Sequence, residues 1–323
     1  MKESFVAAVV CFILTVIAAR IFIPVLKSVK MGQKILEIGP RWHKSKEGTP
    51  TMGGLFFIVP ILVCGVALSV HSGETMLLIH LAFLLANAAI GFVDDYVKFF
   101  KKQNEGLTPM QKMLLQFAAA TAYVFALKAL DGIDCALRLP FCDVVWELPL
   151  PVYCVLAVVG IVFTVNSVNL TDGIDGLASS VTAVVMVFMA VLSVKTANVC
   201  GMAVAFCVLG GTLGFLVYNF HPARVFMGDT GSLFLGAAVS SMAFILDCPL
   251  LLIFAGIVYY IESFSVIIQV LSFKLTGKRV FKMSPIHHHF ELCGWSENKL
   301  VVVFSLAAVL MCAVGSVGFL PTL

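Results

Sequence analysis

Charged side chains are scarce in this chain of 323 residues, because Asp, Glu, Lys and Arg together make up only 12% of it. A soluble domain carries about 25% charged residues, which cover its water-facing surface. Apolar and aromatic residues supply 60% of the chain instead. With so little charge to cover a surface in water, the class of soluble proteins is excluded.

Cysteine motifs are missing as well. The ten cysteines include no C-x-x-C pair, which argues against a zinc ribbon or a thioredoxin-like redox site. Most of them lie inside apolar runs, where cysteine acts as a small apolar side chain. Cys135 and Cys142 share one loop, so a disulfide between them is left open.

Three further absences bear on the organisation of the chain. The first apolar stretch has no A-x-A-like cleavage site and continues into a basic loop, so we expect a retained span instead of a signal peptide. No soluble domain, low-complexity tract or clear repeat is found. We therefore expect residues 1–323 to form a single polytopic membrane domain.

What the chain does have is apolar stretches near 20 residues, the length that crosses a bilayer as a helix. Ten such stretches follow one another, so the sequence predicts an all-α integral membrane protein with ten transmembrane helices. They lie approximately at 4–26, 52–70, 76–97, 110–130, 150–168, 177–194, 201–219, 232–247, 250–272 and 300–320.

The basic residues give the predicted helices an orientation. Sixteen of the 21 Lys and Arg residues lie in the loops after odd-numbered stretches, at 27–46, 98–112, 224 and 274–299. Cytoplasmic loops carry the excess of Lys and Arg in membrane proteins. We therefore expect these loops in the cytoplasm and both termini outside it.

Five polar clusters fall at the predicted cytoplasmic ends of the helices. An ionisable group costs about 2.5–3.5 kcal/mol at the centre of a membrane helix, so proteins place such groups sparingly. Their gathering on one side of the membrane predicts an active site at the cytoplasmic interface.

The first cluster is the pair Asp94 and Asp95 within residues 91–98. Adjacent helical residues point about 100° apart, so we expect the two carboxylates not to serve one face equally. Asp94 and Lys98 are spaced to pair on one helix face. A solvated helix end with an ion pair is the alternative, but two acids amid several lysines favour a site for cations and phosphates.

In the second cluster, Asn166, Asn169, Asp172 and Asp175 recur every three residues. Their loop has no basic residue, so the carboxylates need a divalent metal or a hydrogen-bonded sugar as a partner. Asp175 also suits the N-cap of the next helix, but capping accounts for only one of the four polar residues.

The third cluster places Asp229 between Gly228 and Gly231, just before a predicted helix. Free backbone N–H groups at a helix start bind anions, and the Asp229 carboxylate offers Mg²⁺ a hard oxygen ligand. A capped turn is the alternative.

The last two clusters lie in basic loops. Residues 285–291 hold three consecutive histidines, which rarely converge on one zinc ion, so contact with phosphate is favoured and a surface loop is the alternative. Residues 44–54 combine Lys46 with small hydroxyl and glycine residues. The small residues let the backbone approach a ligand. The alternative is that this segment is an ordinary basic flank of a membrane helix.

Together, five runs resemble the phospho-N-acetylmuramoyl-pentapeptide transferase family, translocase I of peptidoglycan synthesis, within the polyprenyl-phosphate N-acetylhexosamine-1-phosphate transferase superfamily. They are GTPTMGG (48–54), GFVDDYVK (91–98), NSVNLTDGIDGLA (166–178), FMGDTGS (226–232) and PIHHHFE (285–291). The resemblance covers essentially the whole chain, with the blocks in family order. The first and last runs favour this family over relatives that transfer phospho-GlcNAc to polyprenyl or dolichyl phosphate, which are the runner-up.

The resemblance implies transfer of phospho-MurNAc-pentapeptide from UDP-MurNAc-pentapeptide to undecaprenyl phosphate, giving lipid I and UMP. The partners it implies are these two substrates and the lipids of the bacterial inner membrane, with no nucleic acid. A homodimer is left open. So is a two-step route with an aspartate nucleophile.

The resemblance also implies roles for individual residues. Asp229 should hold Mg²⁺ with Asn169 nearby, Asp94 should act as the base that readies the acceptor phosphate, and Asp95 should position Asp94 or the metal. Phosphates are expected to be neutralised by Lys46 and Lys98. The donor's phosphates or sugar are expected to contact His287, His288 and His289.

A uridine pocket is implied at Lys102, Asp175, Asn219 and Phe226, with the Phe226 ring stacking on uracil. The remaining residues expected to bind substrate are Asn166, Asp172, Thr49 and Thr51.

A secondary transporter is the rival from another class. Ten spans, helices broken by glycine, and Glu262 and Gln269 inside a span would suit it. Transporter sites cluster near the bilayer midplane and within inverted repeats. The acids here lie at one interface and no such repeat is detected, so the sequence favours the transferase.

Overall fold

The computed structural model describes residues 1–28, 48–101, 105–142 and 144–319. Within these ranges the chain forms twelve helices and one two-stranded hairpin. In chain order the elements are α1 (Lys2–Ser28), α2 (Leu55–Ser72), α3 (Met76–Lys101), α4 (Pro109–Ala129), β1 (Ala136–Arg138), β2 (Val145–Glu147), α5 (Leu150–Thr171), α6 (Leu177–Lys195), α7 (Val199–Asn219), α8 (Gly228–Ile245), α9 (Leu251–Ala255), α10 (Ile257–Thr276), α11 (Ile286–Glu291) and α12 (Glu297–Phe319).

Each of the ten predicted stretches coincides with a long helix of the described ranges. Eight of these helices, namely α1, α2, α3, α5, α6, α7, α10 and α12, are long and apolar enough to cross a membrane. The chain is therefore a mostly helical, multi-pass membrane protein. The other two, α4 and α8, carry polar residues in their first turns, including Lys112 and Asp229.

Two features differ from the predicted array of helices. The ninth stretch is divided into α9 and α10 at Gly256, where a Cβ atom would meet the Tyr260 ring at 2.8 Å. The β1–β2 hairpin is antiparallel, with Leu137 opposite Trp146. The hairpin joins the end of α4 to the start of α5. The thiols of Cys135 and Cys142, which lie next to its strands, are both free.

The helix α8 lies at the centre of the bundle. All of its residues from Thr230 to Ile245 are buried, and it packs against α3 and α5. Glycines allow this close approach, because a Cβ at Gly236 would meet the Val165 backbone and one at Gly91 would meet the backbone of Asp229. The start of α8 is thereby held against α3.

Small residues bring α1 onto α7. The buried face of α1 consists mostly of small side chains at every third or fourth position. On α7, Gly210 and Gly214 form a G-x-x-x-G pattern, the spacing that lets membrane helices approach closely. A Cβ at Gly210 would meet the carbonyl oxygen of Ala8, and one at Gly214 would meet that of Phe12 at 2.7 Å.

This packing predicts a destabilising effect of a single methyl group. Gly210→Ala should lower the melting temperature of the detergent-solubilised protein, with overpacking costing roughly 1–3 kcal/mol. The matched control is Gly160→Ala in α5, where no heavy atom of the described residues lies within 4 Å of the added Cβ. Equal melting temperatures for the two variants would contradict the close α1–α7 contact.

Candidate active site

Three carboxylates from α3 and α8 meet at one end of the bundle. Asp94, Asp95 and Asp229 each offer an oxygen, and these atoms lie within 4.8 Å of one another. The two adjacent aspartates have different partners, as their angular separation on the helix predicts. Asp95 faces the start of α8, whereas Asp94 faces Lys98 and the 105–107 segment.

Asp95 caps α8 from the neighbouring helix. Met227 stands at the N-cap position of α8 and provides no side-chain hydrogen bond. The Asp95 carboxylate instead accepts the backbone N–H groups of Asp229 at 3.1 Å and Thr230 at 2.9 Å, and the Thr230 hydroxyl at 2.7 Å. A carboxylate at this point also complements the positive end of the helix dipole. Asp95 thus fixes where Asp229 lies.

Asp94 forms an ion pair with Lys98, its Oδ2 atom lying 2.6 Å from the Lys98 ammonium, as the spacing in the sequence predicts. Its other oxygen accepts the backbone N–H of Leu107 at 2.9 Å. Gly106 covers the carboxyl group, and a Cβ there would meet Asp94 Oδ1 at 2.6 Å. The 105–107 segment therefore covers Oδ1 of Asp94, whereas Oδ2 faces Lys98.

Asp229 is the most accessible of the three carboxylates, with 18% of its side chain exposed against 4% for Asp94 and 1% for Asp95. Its Oδ2 accepts hydrogen bonds from Lys98 at 2.8 Å and Lys112 at 3.0 Å. Its Oδ1 accepts one from the Asn169 amide at 2.8 Å. The two residues expected to lie beside a metal are therefore direct neighbours.

Lys112 is a site residue that the sequence interpretation counted only as part of a basic loop. Its ammonium lies 3.0 Å from Asp229 Oδ2 and 3.5 Å from Asn169 Oδ1, so it sits between both expected metal ligands. The available signal was its position near the start of an apolar stretch, after Thr108 and Pro109, which suit the N-cap and the first position of a helix.

The 48–54 run packs along the 226–231 run. The Phe226 N–H donates to the Pro50 carbonyl at 2.8 Å, and the Gly53 N–H donates back to the Phe226 carbonyl at 2.9 Å. Thr51 is buried and Thr49 half-buried. A Cβ at Gly228, whose φ is +71°, would meet Thr51 Oγ1 at 2.9 Å. The two motifs therefore form one structural unit, with Phe226 half-buried at its edge.

The polar residues in the last turns of α5 and in the loop after it have different surroundings. Asn166 donates to Gln116 Oε1 at 2.7 Å and to a carbonyl of its own helix. Burial raises the pKa of the Asp172 carboxyl well above its ordinary value, and the nearby charges of Asp229, Asp95 and Asp175 raise it further.

Asp175 is not the N-cap of α6, which corrects the expectation of a capping role. The N-cap position belongs to Gly176, with a φ of +75° that favours glycine, and no side chain caps it. Asp175 Oδ2 lies 2.9 Å from His221 Nδ1 and accepts the Ala223 N–H at 3.0 Å. Its own N–H donates to Glu297 at 3.0 Å. Asp175 thus ties the loop after α7 to the start of α12.

Asn219 shapes the loop that carries Phe226. It is buried, accepts the Ser179 hydroxyl at 3.2 Å and donates to the Val225 carbonyl at 3.1 Å. These bonds hold the segment next to the Phe226 ring.

The three histidines face three different partners. His287 Nδ1 lies 3.0 Å from Glu262, and His288 Nδ1 lies 2.6 Å from Glu291. His289 Nδ1 accepts the Lys282 N–H at 3.1 Å. Among the described residues, none of these histidines belongs to a group of three possible ligands close enough to share one metal ion.

Most predicted site residues therefore lie at the same end of the bundle, although Lys46 and Lys102 lie outside the described residues. The acidic group fits a divalent cation, because hard oxygen donors converge there. A second group of three possible ligands, Asp175, His221 and Glu297, lies beside it.

The fold and this acidic, lysine-bridged end define a polytopic membrane protein with a cluster of ionisable side chains at one end of its bundle. The model of glycosyl transferase family 4 matches residues 76–247, and signature 1 of the phospho-N-acetylmuramoyl-pentapeptide-transferases matches residues 46–58.

Curated relatives named phospho-N-acetylmuramoyl-pentapeptide-transferase align over nearly the full length. The relative from Bacillus cytotoxicus is 44% identical over 96% of both chains. That from Staphylococcus carnosus is 43% identical over 96% of this chain and 98% of its own, and that from Bacillus anthracis 45% identical over 96% of both. The chain belongs to the phospho-N-acetylmuramoyl-pentapeptide-transferase family, so the resemblance carried by the five sequence runs is confirmed.

The cap formed by Asp95 predicts an order of stabilities. Asp95→Ala should leave two backbone N–H groups of α8 without their acceptor, at about 1–3 kcal/mol for each buried donor. Thr230→Val removes only the hydroxyl bond and should cost about 1 kcal/mol. Thermal melting in detergent measures both. The capping role is wrong if Thr230→Val is as destabilising as Asp95→Ala.

Proposed function

We propose that this protein transfers phospho-MurNAc-pentapeptide from UDP-MurNAc-pentapeptide to undecaprenyl phosphate, releasing UMP and forming lipid I. The observation that carries the proposal is the cluster of Asp94, Asp95 and Asp229 bridged by Lys98 and Lys112 at one end of a membrane bundle. Such a site suits one substrate dissolved in the cytoplasm and another anchored in the lipid. The names of the relatives support the same reaction.

The proposed setting is the bacterial inner membrane, with ten spans and both termini outside the cytoplasm. The two helices beyond the eight apolar ones support ten spans, because α4 has 21 residues, α8 has 18, and both lie among the others. The basic loops support the orientation. The oligomeric state is left open, and a homodimer fits this arrangement.

Phosphoryl transfer between two anions depends on neutralising and positioning charge more than on covalent chemistry. Three carboxylates and two ammonium groups leave the cluster one net negative charge. We propose that Asp229, with Asn169 beside it, holds Mg²⁺, which when bound supplies positive charge to the phosphate oxygens. Lys98 and Lys112 then serve as donors to those oxygens, since they already lie within 3.0 Å of Asp229.

In the proposed one-step route, Asp94 takes the proton of the acceptor phosphate. An oxygen of that phosphate then attacks the sugar-bearing phosphorus of the donor, and the bond from this phosphorus to the UMP oxygen breaks. The oxygen proposed to take the proton is Oδ2, because the 105–107 segment covers Oδ1. A two-step route, in which an aspartate first takes the phosphosugar, stays an alternative.

The donor's uracil is proposed to stack on Phe226, whose backbone is fixed to the 50–53 segment and whose ring is half-buried. Stacking of a base on an aromatic ring is worth roughly 1–3 kcal/mol. Asp172 is proposed to contact the same substrate, and His287, His288 and His289 to face its phosphates or sugar.

A purified-protein assay tests the reaction itself. Supplied with undecaprenyl phosphate and Mg²⁺, the protein should form UMP and a lipid-linked product from UDP-MurNAc-pentapeptide. It should form none from UDP-GlcNAc. Turnover of UDP-GlcNAc alone would place the chain with the phospho-GlcNAc transferases, the runner-up function.

The metal and base roles predict opposite behaviour for two conservative variants. Asp229→Asn should lose Mn²⁺ binding, followed by EPR, together with turnover, because an amide is a poorer ligand for a hard cation. Asp94→Asn should keep Mn²⁺ and donor binding but lose turnover. Its residual rate should rise from pH 6 to 9, since a base matters least once the acceptor has ionised unaided. If Asp94→Asn loses Mn²⁺ binding and Asp229→Asn keeps it, Asp94 holds the metal and the two assigned roles are wrong.

Lys112→Met completes the series. The Lys112 ammonium and a divalent cation compete for the same oxygens of Asp229 and Asn169. Removing the ammonium should tighten Mn²⁺ binding by about tenfold, which corresponds to roughly 1.4 kcal/mol of relieved repulsion. Turnover should fall nevertheless, because a phosphate donor is lost. Weaker Mn²⁺ binding in this variant would contradict the proposal that the Lys112 ammonium and the cation compete for the same oxygens.

A further inference from the structure

Glu262 is a carboxylate inside the apolar helix α10, with no measurable exposure of its side chain. A charged group buried in this way is costly unless a partner compensates it. The proposed transfer reaction, in the route given for it, uses no atom of Glu262. Its surroundings point to one.

The partner of Glu262 is His287, whose side chain is equally buried. Glu262 Oε2 lies 3.0 Å from His287 Nδ1 and accepts the backbone N–H of His287 at 3.4 Å. An ionised carboxylate can only accept hydrogen bonds, so Nδ1 has to carry the proton. The carboxylate therefore selects one tautomer of the neutral ring and one ring orientation.

The other ring nitrogen of His287, Nε2, has no hydrogen-bond partner among the described residues. It faces Gly173, where an added Cβ would collide with Nε2 and with the adjacent ring carbon. Gly173 is exposed and directly follows Asp172. A buried ring nitrogen without a hydrogen-bond partner is unfavourable. His287 Nε2 lies beside the turn at Gly173, which borders the proposed substrate site.

Other side chains also hold the surrounding loop. Gln269, two turns further along α10, accepts the backbone N–H groups of Val280 and Phe281 at 3.0 and 2.9 Å and donates to the Phe281 carbonyl at 3.0 Å. Within α11, His288 is bound to Glu291. The hydrogen bonds that the structure shows for the Glu262 carboxylate, in contrast, go to His287 alone.

We propose that Glu262 is a positioning residue for His287: it fixes the proton on Nδ1 and presents Nε2, across Gly173, to an oxygen atom of the nucleotide-sugar donor. The inference rests on the proposed transferase function. The oxygen belongs to a hydroxyl group of the donor's sugar, from which Nε2 of the neutral ring accepts a hydrogen bond. A carboxylate that orients a catalytic imidazole in this manner is a recurring arrangement in enzymes.

The first measurement needs no substrate. In protein labelled with ¹⁵N-histidine, His287→Gln identifies the His287 signals, and the wild type should show the proton on Nδ1. Glu262→Gln offers the ring an amide that can donate as well as accept, so it should shift His287 toward the other tautomer. Glu291→Gln is the matched control, because it removes the partner of His288 and should leave the His287 signals in place.

The second measurement is a double-mutant cycle on turnover. Glu262→Gln should lower kcat/KM for the donor by about 10- to 100-fold, the range typical of residues that orient a functional histidine. If Glu262 acts through His287, the double variant Glu262→Gln with His287→Gln should be no slower than His287→Gln alone. Losses that multiply, or an unchanged tautomer in Glu262→Gln, overturn the proposal.

Gly173→Ala keeps the test decisive if Glu262→Gln fails to fold. The added methyl group would collide with the His287 ring at Nε2 and leaves the Glu262 side chain itself unchanged, so donor kcat/KM should fall while Nδ1, still beside Glu262, keeps the proton. Gly160→Ala, where the methyl group meets open space, should keep full activity. Full activity of Gly173→Ala contradicts the presentation of Nε2. A wild type without transferase activity refutes the proposed function instead, whatever the tautomer.

Discussion

Mutual repulsion among Asp94, Asp95 and Asp229 is the constraint on which this end of the molecule depends. Two unit charges 4 Å apart near a protein surface repel by about 4 kcal/mol, and three oxygens here lie within 4.8 Å of one another. The compensation comes from Lys98, which touches Asp94 and Asp229, and from the N-terminus of α8, which Asp95 caps. Removing any one of these partners leaves buried charge unmatched.

The same constraint explains several motif glycines. They do not all cradle a ligand, as glycines near phosphate sites often do. Gly91 lets α3 touch the backbone of Asp229, and Gly54 and Gly231 bring the 48–54 run against the start of α8. The carboxylate cluster is assembled from different helices, and close backbone contact between these helices keeps its oxygens within reach of one another. The motifs are therefore packing motifs as much as chemical ones.

The histidine run illustrates how one motif can hold separate environments. His287 is buried against an intramembrane carboxylate, His288 pairs within its own short helix, and His289 accepts a backbone N–H from the preceding loop. Three identical side chains in a row thus differ in partner and burial. Because the ring nitrogens left for a ligand differ in each case, the three rings would contact the donor in different ways.

The sequence by itself determined the membrane class, the places of the long helices and the gathering of polar motifs at helix ends, because apolar length and charge distribution act locally along the chain. It also anticipated the pairing of Asp94 with Lys98, which are one helical turn apart. The break at Gly256 and the β1–β2 hairpin were not predicted, since both depend on neighbours elsewhere in the bundle or on short segments without a clear pattern.

Only the tertiary structure decided which partners the polar residues meet. Lys112 reaches Asp229 across 117 positions of sequence, Glu262 reaches His287 across 25, and Asp175 binds the loop after α7 instead of capping α6. Side-chain type and spacing say what a residue can bind, and they constrain contacts within one or two helical turns. Which side chain lies opposite depends on how separate helices pack, and that packing is set by the small residues and glycines at their interfaces.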